Sequence, residues 1–359
     1  MASYDPIRDL PLTIEEVAFE GLDVTLGNFE RLTTVIKLRG GGEEGVGEDV
    51  VYDPVDHIGQ QSHGPPDGLA HSGSFDEFSQ KLEGIDLFPA GPPERGEVSR
   101  DYRRWAYESA ALDLALRQAG TNLAAAVGRE PRPLTFVNSM RLAGFDPAEK
   151  SSIEPLLKRL EVYPTLRFKL DPVNDWDDEL IAALVATGAV DSLDLKGFYK
   201  GTPVDVVTDP VLYSKLIEAF PEAWLEDPDV TAETKPLLDP VSERVTWDAP
   251  IHSIADIEAM PWSPPRTVNV KPSRFGPISN LFAAYDYCEE RGIGAYGGGQ
   301  SELGPGRGQI QYLASIFHPE TPNDVAPSGY NDPAQATKPG LPSSPLEPAI
   351  EPLGFRWAT

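Results

Sequence analysis

From Pro133 onward the chain repeats one rhythm, and that rhythm limits the folds open to it more than any other feature. Short apolar runs recur at Leu134–Val137, Leu166–Leu170, Val190–Leu195, Ala223–Leu225, Val245–Trp247, Thr267–Val270, Ile293–Tyr296 and Asp324–Ala326. Between most of them lie segments with helical patterning. The clearest spans about 277–291, where Ile278, Leu281, Phe282, Tyr285 and Cys288 follow the i, i+3, i+4, i+7 spacing of one buried face. Eight short strands alternating with helices over about 195 residues predict a closed β/α barrel rather than an open sheet.

The N-terminal third is built differently. IEEVAFEGLDVTL and RLTTVIKLRG, within 14–52, read as strands rich in β-branched residues, and the Gly-rich GGGEEGVGEDVVYD follows as a turn. Residues 53–100 change to Gly, Pro, His and acids, which reads as a long loop insertion of the kind that serves function or moves. A helix is expected at about 101–118, with Ala106, Ala110, Leu114 and Leu116 as its small apolar pattern and Gly120 as its stop. The last 29 residues carry six prolines and no periodicity. The expected organisation is an α+β domain over 1–130, a barrel over 131–330, and a Pro-rich tail over 331–359 laid against the first domain.

Charge narrows the functions. Thirty Lys and Arg against 57 Asp and Glu give a net charge of −27. Such a surface repels phosphate backbones and anionic bilayers, so neither nucleic acid nor membrane is an expected partner. A single cysteine, Cys288, excludes an internal disulfide and a Cys-rich zinc site, and its place on an apolar helical face makes it core. No run of about 18 apolar residues exists, and MASYDPIRDLPL lacks a basic-then-apolar leader. A cytoplasmic protein is expected.

In a barrel, side chains at the C-terminal strand ends converge. Those positions are Lys169 (TLRFKLDP), Asp194 (SLDLKG), Glu226 (AWLEDPD), Asp248 (RVTWDAP) and Lys271 (VNVKPS). Their gaps of 25, 32, 22 and 23 residues are each about one β/α unit. Three carboxylates on neighbouring strand ends make a hard oxygen cage that suits Mg²⁺. Two lysines then face each other from the second and sixth strands. A proton next to a carboxylate is very weakly acidic, because its loss puts a second negative charge on the resulting enediolate. A dication on the carboxylate stabilises that charge, and a lysine with a lowered pKa takes the proton.

With these residues the sequence resembles the enolase superfamily, and within it the muconate-lactonizing-enzyme subgroup of the mandelate racemase/muconate lactonizing enzyme family. The likeness runs over almost the whole chain: the strand pair ending in GEEGVGE, the Ala-rich helix leading to NLAAAVGREPRPL, and the ordered Lys…Asp…Glu…Asp…Lys series. It implies a modified TIM barrel, (β/α)7β, under an N-terminal α+β capping domain. It also implies Mg²⁺ held by Asp194, Glu226 and Asp248, acid/base roles for Lys169 and Lys271, and a homo-oligomer. The implied chemistry removes the α-proton of a small-molecule carboxylate. Its outcome is syn-dehydration as in o-succinylbenzoate synthase, racemisation or epimerisation, or cycloisomerisation. Specificity is expected from the cap, through the loops near 21–30 and the 53–100 insertion.

Three positions depart from the subgroup's pattern. The usual Lys-x-Lys of the second strand is Arg167-Phe168-Lys169, so Arg167 supplies charge but does not titrate. The Asn that follows the third-strand Asp by two residues is Lys196, a cation next to the expected metal. The seventh-strand acid has Gln300 and Glu302 of GGGQSELG as its equivalents on the substrate side.

Plainer readings compete. With 57 acids in the chain, carboxylates near strand ends arise readily by chance, and Asp171, Asp191 and Asp227 are close rivals for the ligand positions. The lysines are sharper evidence, since the chain holds only eleven and strand interiors disfavour them. His57, His63 and His71 have no zinc spacing, and GGGQSELGPGRG lacks the ending of a phosphate loop. Arg167 and Lys196 motivate one alternative from another class, a catalytically silent barrel that binds a metal or ligand. A metal-free glycosidase is a further alternative, and it leaves the lysines without a role.

Overall fold

The structure is a computed structural model and describes residues 2–26, 29–143 and 150–358. Among the described residues, five strands belong to the N-terminal domain: β1 (Pro11–Ile14), β2 (Glu16–Leu26), β3 (Phe29–Gly40), β4 (Glu43–Asp49) and β5 (His71–Ser74). β2, β3 and β4 form an antiparallel meander, while β1 pairs antiparallel with β5. The helix Glu97–Gln118 packs across β4. Its approach depends on glycine. A side chain at Gly45 or Gly47 would put a carbon 2.2 Å from the carbonyl oxygen of Ala110 or Ala106, so only glycine lets the two backbones meet. Tyr102, Trp105, Leu112 and Leu116 of this helix are fully buried, each such large apolar side chain contributing about 1.5–3 kcal/mol.

The 53–100 stretch corrects the sequence reading. It holds the helices Pro54–His63 and Phe75–Leu82, joined through β5, rather than one long loop. The second helix opens with a capping box in which Ser74 and Glu77 satisfy each other's backbone amides. Of the loop expected near 21–30, residues 27–28 lie outside the described residues, and the rest belongs to β2 and β3.

The second domain is a curled parallel sheet of seven strands in sequence order. They are β6 (Asn138–Arg141), β7 (Phe168–Asp171), β8 (Val190–Asp194), β9 (Trp224–Glu226), β10 (Val245–Trp247), β11 (Thr267–Val270) and β12 (Gly294–Gly297). Closure comes from the segment at 323–324. Asn323 bridges Phe136 at one edge and Asp324 bridges Gly298 at the other, with Val137 N donating to Asn323 O at 2.9 Å and Asp324 N to Gly297 O at 2.8 Å. The result is a (β/α)7β barrel under an α+β cap. The first apolar run is displaced from expectation, since Leu134 and Phe136 make only isolated bridges and the ladder begins at Asn138.

The tail touches both domains. Leu346 bridges Leu134, while Phe355 packs edge-on against Trp105 and Tyr312. Asp113 of the cap helix accepts from Phe355 N at 2.7 Å and from Arg356 Nε at 2.8 Å. Cap and barrel are also tied directly. The buried carboxylate of Glu48 accepts the amides of Leu303, Gly304 and Gly306 at 2.7–2.9 Å, so it fills the anion-binding start of the helix Pro305–Phe317. Among the described residues, no helix is long and apolar enough to cross a membrane.

Candidate active site

Parallel pairing sets strand ends side by side. Asp194 closes β8 directly beside Glu226, which closes β9. Asp248 follows β10 by one residue and Lys271 follows β11 by one, while Lys169 lies inside β7. All five side chains are buried, from 0% exposed at Asp194 and Glu226 to 7% at Lys271. Asp194, Glu226 and Asp248 each present an oxygen within 4.8 Å of the others. Lys169 and Lys271 are four strands apart in the sheet order, and so face each other across the barrel.

The lysines are woven into the acids. Lys169 Nζ donates to Glu226 Oε1 and lies 3.2 Å from Asp194 Oδ2 and 3.4 Å from Asp324 Oδ2. Lys271 Nζ is 2.8 Å from Asp248 Oδ2. A close approach by Gly298 shapes this corner: an added methyl there would sit 2.5 Å from Lys271 Cε and 2.8 Å from Asn269 Oδ1.

Charge balance explains the titration behaviour. Burial raises the Glu226 carboxyl, and although Lys169 opposes it, Asp194 and Asp248 add to the effect and leave it well above the usual range. Burial acts the same way on Asp194 and Asp248, yet their cations win. Lys196 and Lys169 hold Asp194 low, and Arg274 and Lys271 hold Asp248 low. Burial by itself lowers Lys169, but Glu226, Asp194 and Asp324 together keep it well above the usual lysine value. These protein groups alone keep the Lys169 ammonium charged, because its nearest neighbours are anions.

Several contributors escaped the sequence reading. Arg274, in KPSR, grips Asp248 through its carbonyl and through Oδ1 at 2.9 Å. Tyr296, within β12, donates to Glu226 Oε2 at 2.5 Å. Ser192 Oγ and both amide atoms of Asn269 are buried with no hydrogen bond among the described residues, which leaves polar groups for solvent or a ligand inside the barrel. Of the rival acids, Asp227 accepts the amides of Asp248 and Ala249, both at 2.8 Å, and so shapes the turn after β10. Burial, with Asp248 and Asp194 nearby, pushes it up to about 7. Asp171 pairs with Lys196 at 3.3 Å. Asp191 is on the far side of this arrangement, engaged by Arg167.

The remaining expected residues are engaged by partners other than the three acids. Arg167 precedes β7 and spends its guanidinium on Asp191 and on the Gly188 carbonyl, partly exposed at the N-terminal rim. Gln300 is held by Tyr52 and Tyr102 of the cap, and Glu302 turns to Gln300 N at 2.6 Å and Arg307 at 3.1 Å. Lys196, by contrast, joins the cluster, 2.6 Å from Asp194 Oδ2.

The donor set fits a hard dication. It is all oxygen, it is buried, and Glu226 is raised by burial and by neighbouring carboxylates whose charge a divalent ion would offset. Several known proteins are similar to this chain. The chain is 27% identical over 229 residues to the o-succinylbenzoate synthase of Bacillus subtilis (strain 168), which covers 62% of this chain and 58% of that relative. The chain thus spans somewhat over half the length of the curated relative it matches. A Listeria innocua Clip11262 protein described as a member of the enolase superfamily superposes with a TM-score of 0.63 at 17% identity, covering 88% of this chain and 86% of that one. A dipeptide epimerase from Methylococcus capsulatus, solved in complex with a Mg ion, superposes with a TM-score of 0.60 at 17% identity, covering 90% and 88%. At such identities the two structures speak for the fold alone, a barrel under an α+β cap. Residues 130–332 match the C-terminal domain, and residues 5–126 the N-terminal domain, of a family described as a domain of unknown function, DUF8230, and the chain belongs to that family.

Proposed function

We propose that the protein is a Mg²⁺-dependent lyase or isomerase that removes the α-proton of a small-molecule carboxylate through an enediolate. The observation that carries the reading is the meeting of three buried carboxylate oxygens within 4.8 Å, between two buried lysines on opposite sides of the barrel. Asp194, Glu226 and Asp248 are the residues that would hold the ion. Bound there, Mg²⁺ supplies positive charge for the substrate carboxylate and for the second negative charge that builds as the proton leaves. Lys169 and Lys271 act from opposite sides of the substrate. One amine takes the α-proton, and the other either returns it to the far face or stays charged beside the enediolate. Tyr296 and Arg274 keep Glu226 and Asp248 oriented.

Syn-dehydration, epimerisation and cycloisomerisation share the enediolate. The relative named o-succinylbenzoate synthase and the neighbour named dipeptide epimerase support that family of outcomes without separating them. To the same reading belong a cap over 1–130 that selects the substrate, a tail over 331–359 that braces it, and a homo-oligomer in the cytoplasm.

The test is proton exchange in D₂O, followed by NMR over a panel of N-acyl amino acids, dipeptides and cyclic carboxylates. The reading expects Mg²⁺-dependent deuterium uptake at the α-carbon with at least one of them, lost on chelation. Silence across the panel with Mg²⁺ bound supports the catalytically silent, metal-binding alternative, for which the lysine in the cage speaks.

A further inference from the structure

Lys196 stands where the resembling family carries a neutral amide, and its position is built by the backbone. The residue has a φ of 55°, in the left-handed region that side-chain-bearing residues seldom adopt. Its own amide donates to Asp194 Oδ1 at 3.2 Å, and the next amide, Gly197 N, donates to Asp227 O at 2.8 Å. Gly197 has no room for a side chain, because an added carbon would lie 2.5 Å from Asp229 N. The turn is thus clamped onto the backbone after β9, and this aims the Lys196 side chain back over the barrel mouth. There its ammonium lies 2.6 Å from Asp194 Oδ2 and 3.3 Å from Asp171 Oδ1, with the Tyr199 ring centroid 5.0 Å away.

Asp194 Oδ2 consequently has two ammonium groups on it, Lys196 at 2.6 Å and Lys169 at 3.2 Å. An ion that takes this Oδ2 has to loosen one of them. Lys169 is rooted inside β7 and held by Glu226 and Asp324 as well. Lys196 leaves more readily, since Asp171 already waits within reach on the side away from Glu226. Resting on the proposed metal reading, we infer that Lys196 is an internal cation that competes with the divalent ion for Asp194 and sets a weak metal affinity for the site. A fixed positive charge beside a buried ligand oxygen both occupies the ligand and repels the incoming dication, and low local polarisability makes the repulsion strong.

The test is calorimetric titration of the full-length protein with MgCl₂ alone. Lys196→Met and Lys196→Gln are expected to bind Mg²⁺ more tightly than wild type, on the order of tenfold or more. Lys196→Arg, which keeps the charge, is expected to stay within about threefold of wild type. Adding Glu226→Gln to Lys196→Met should remove the gain, which places the ion at this cage. Folding of each variant is checked by circular dichroism, and Lys196→Gln covers the case in which Met at this polar position prevents folding. Equal or weaker Mg²⁺ binding by the folded neutral variants overturns the inference and leaves the metal reading intact. An absence of binding by wild type and variants alike overturns both.

Discussion

Lys271 donates to Asp248 across 2.8 Å, so a proposed proton carrier leans directly on a proposed metal ligand. The pair joins neighbouring positions at the ends of β10 and β11, and Arg274 takes the other carboxylate oxygen at 2.9 Å. In this arrangement the base and the ion site are positioned by the same side chain, yet they remain chemically separable.

That separability can be measured. Lys271→Ala and Lys169→Ala are each expected to lower α-proton exchange by about 10²–10⁴-fold, the usual share of general acid–base catalysis. Mg²⁺ binding should survive in Lys271→Ala. Exchange rates by NMR and metal titration by calorimetry, run on the same samples, check both halves.

Gly298 offers a gentler probe of the same corner. In Gly298→Ala the new methyl would crowd Lys271 Cε, at 2.5 Å, and the buried amide of Asn269. Turnover should fall on the order of 10²-fold through misplacement of the lysine, with Mg²⁺ affinity little changed. Turnover equal to wild type would show that Lys271 is not held where the chemistry needs it.

The seam of the barrel should fail in acid. His318 ends the helix Pro305–Phe317 and contacts Asn323 Oδ1 at 2.7 Å, beside the closing segment. Burial holds the imidazole down at about 4 against an ordinary 6.5. Between those values the unfolded chain binds a proton that the folded chain does not. Its contribution is therefore complete above pH 6.5 and is lost as pH falls through about 4, up to about 3 kcal/mol. Urea denaturation at pH 7.5 and 4.5 should show a smaller pH-dependent loss in His318→Gln than in wild type.

The tail makes a stability prediction of its own. Phe355 is 1% exposed between Trp105 and Tyr312, so Phe355→Ala should cost about 3–5 kcal/mol of unfolding free energy. A midpoint shift below what about 1 kcal/mol gives would mean that the tail rests on the cap without holding it.

The barrel was legible because its signal repeats: each apolar run is short, bounded and followed by a helix, and the strand-end residues fall one unit apart. Glu226 and Asp248 stood out for that reason. The 53–100 region was illegible as helices because Pro54–His63 carries two histidines, two glutamines and a glycine in ten residues, leaving almost no apolar face to read. A signal was present next door in Ser74-x-x-Glu77, the capping box that starts Phe75–Leu82. Arg167 precedes the strand that carries Lys169, and Asp191 engages its guanidinium there. Arg274 and Tyr296 were missed since their importance lies in the partner they reach, which no local pattern encodes.

Asp194, Glu226 and Asp248 are expected to share one dication between Lys169 and Lys271. The most direct measurement is anomalous diffraction from crystals grown with Mn²⁺ in place of Mg²⁺. A single strong peak bonded to one oxygen from each of the three acids is expected, with its loss in Glu226→Gln. A peak bound by other residues, or none at saturating Mn²⁺ in well-ordered crystals, would contradict it.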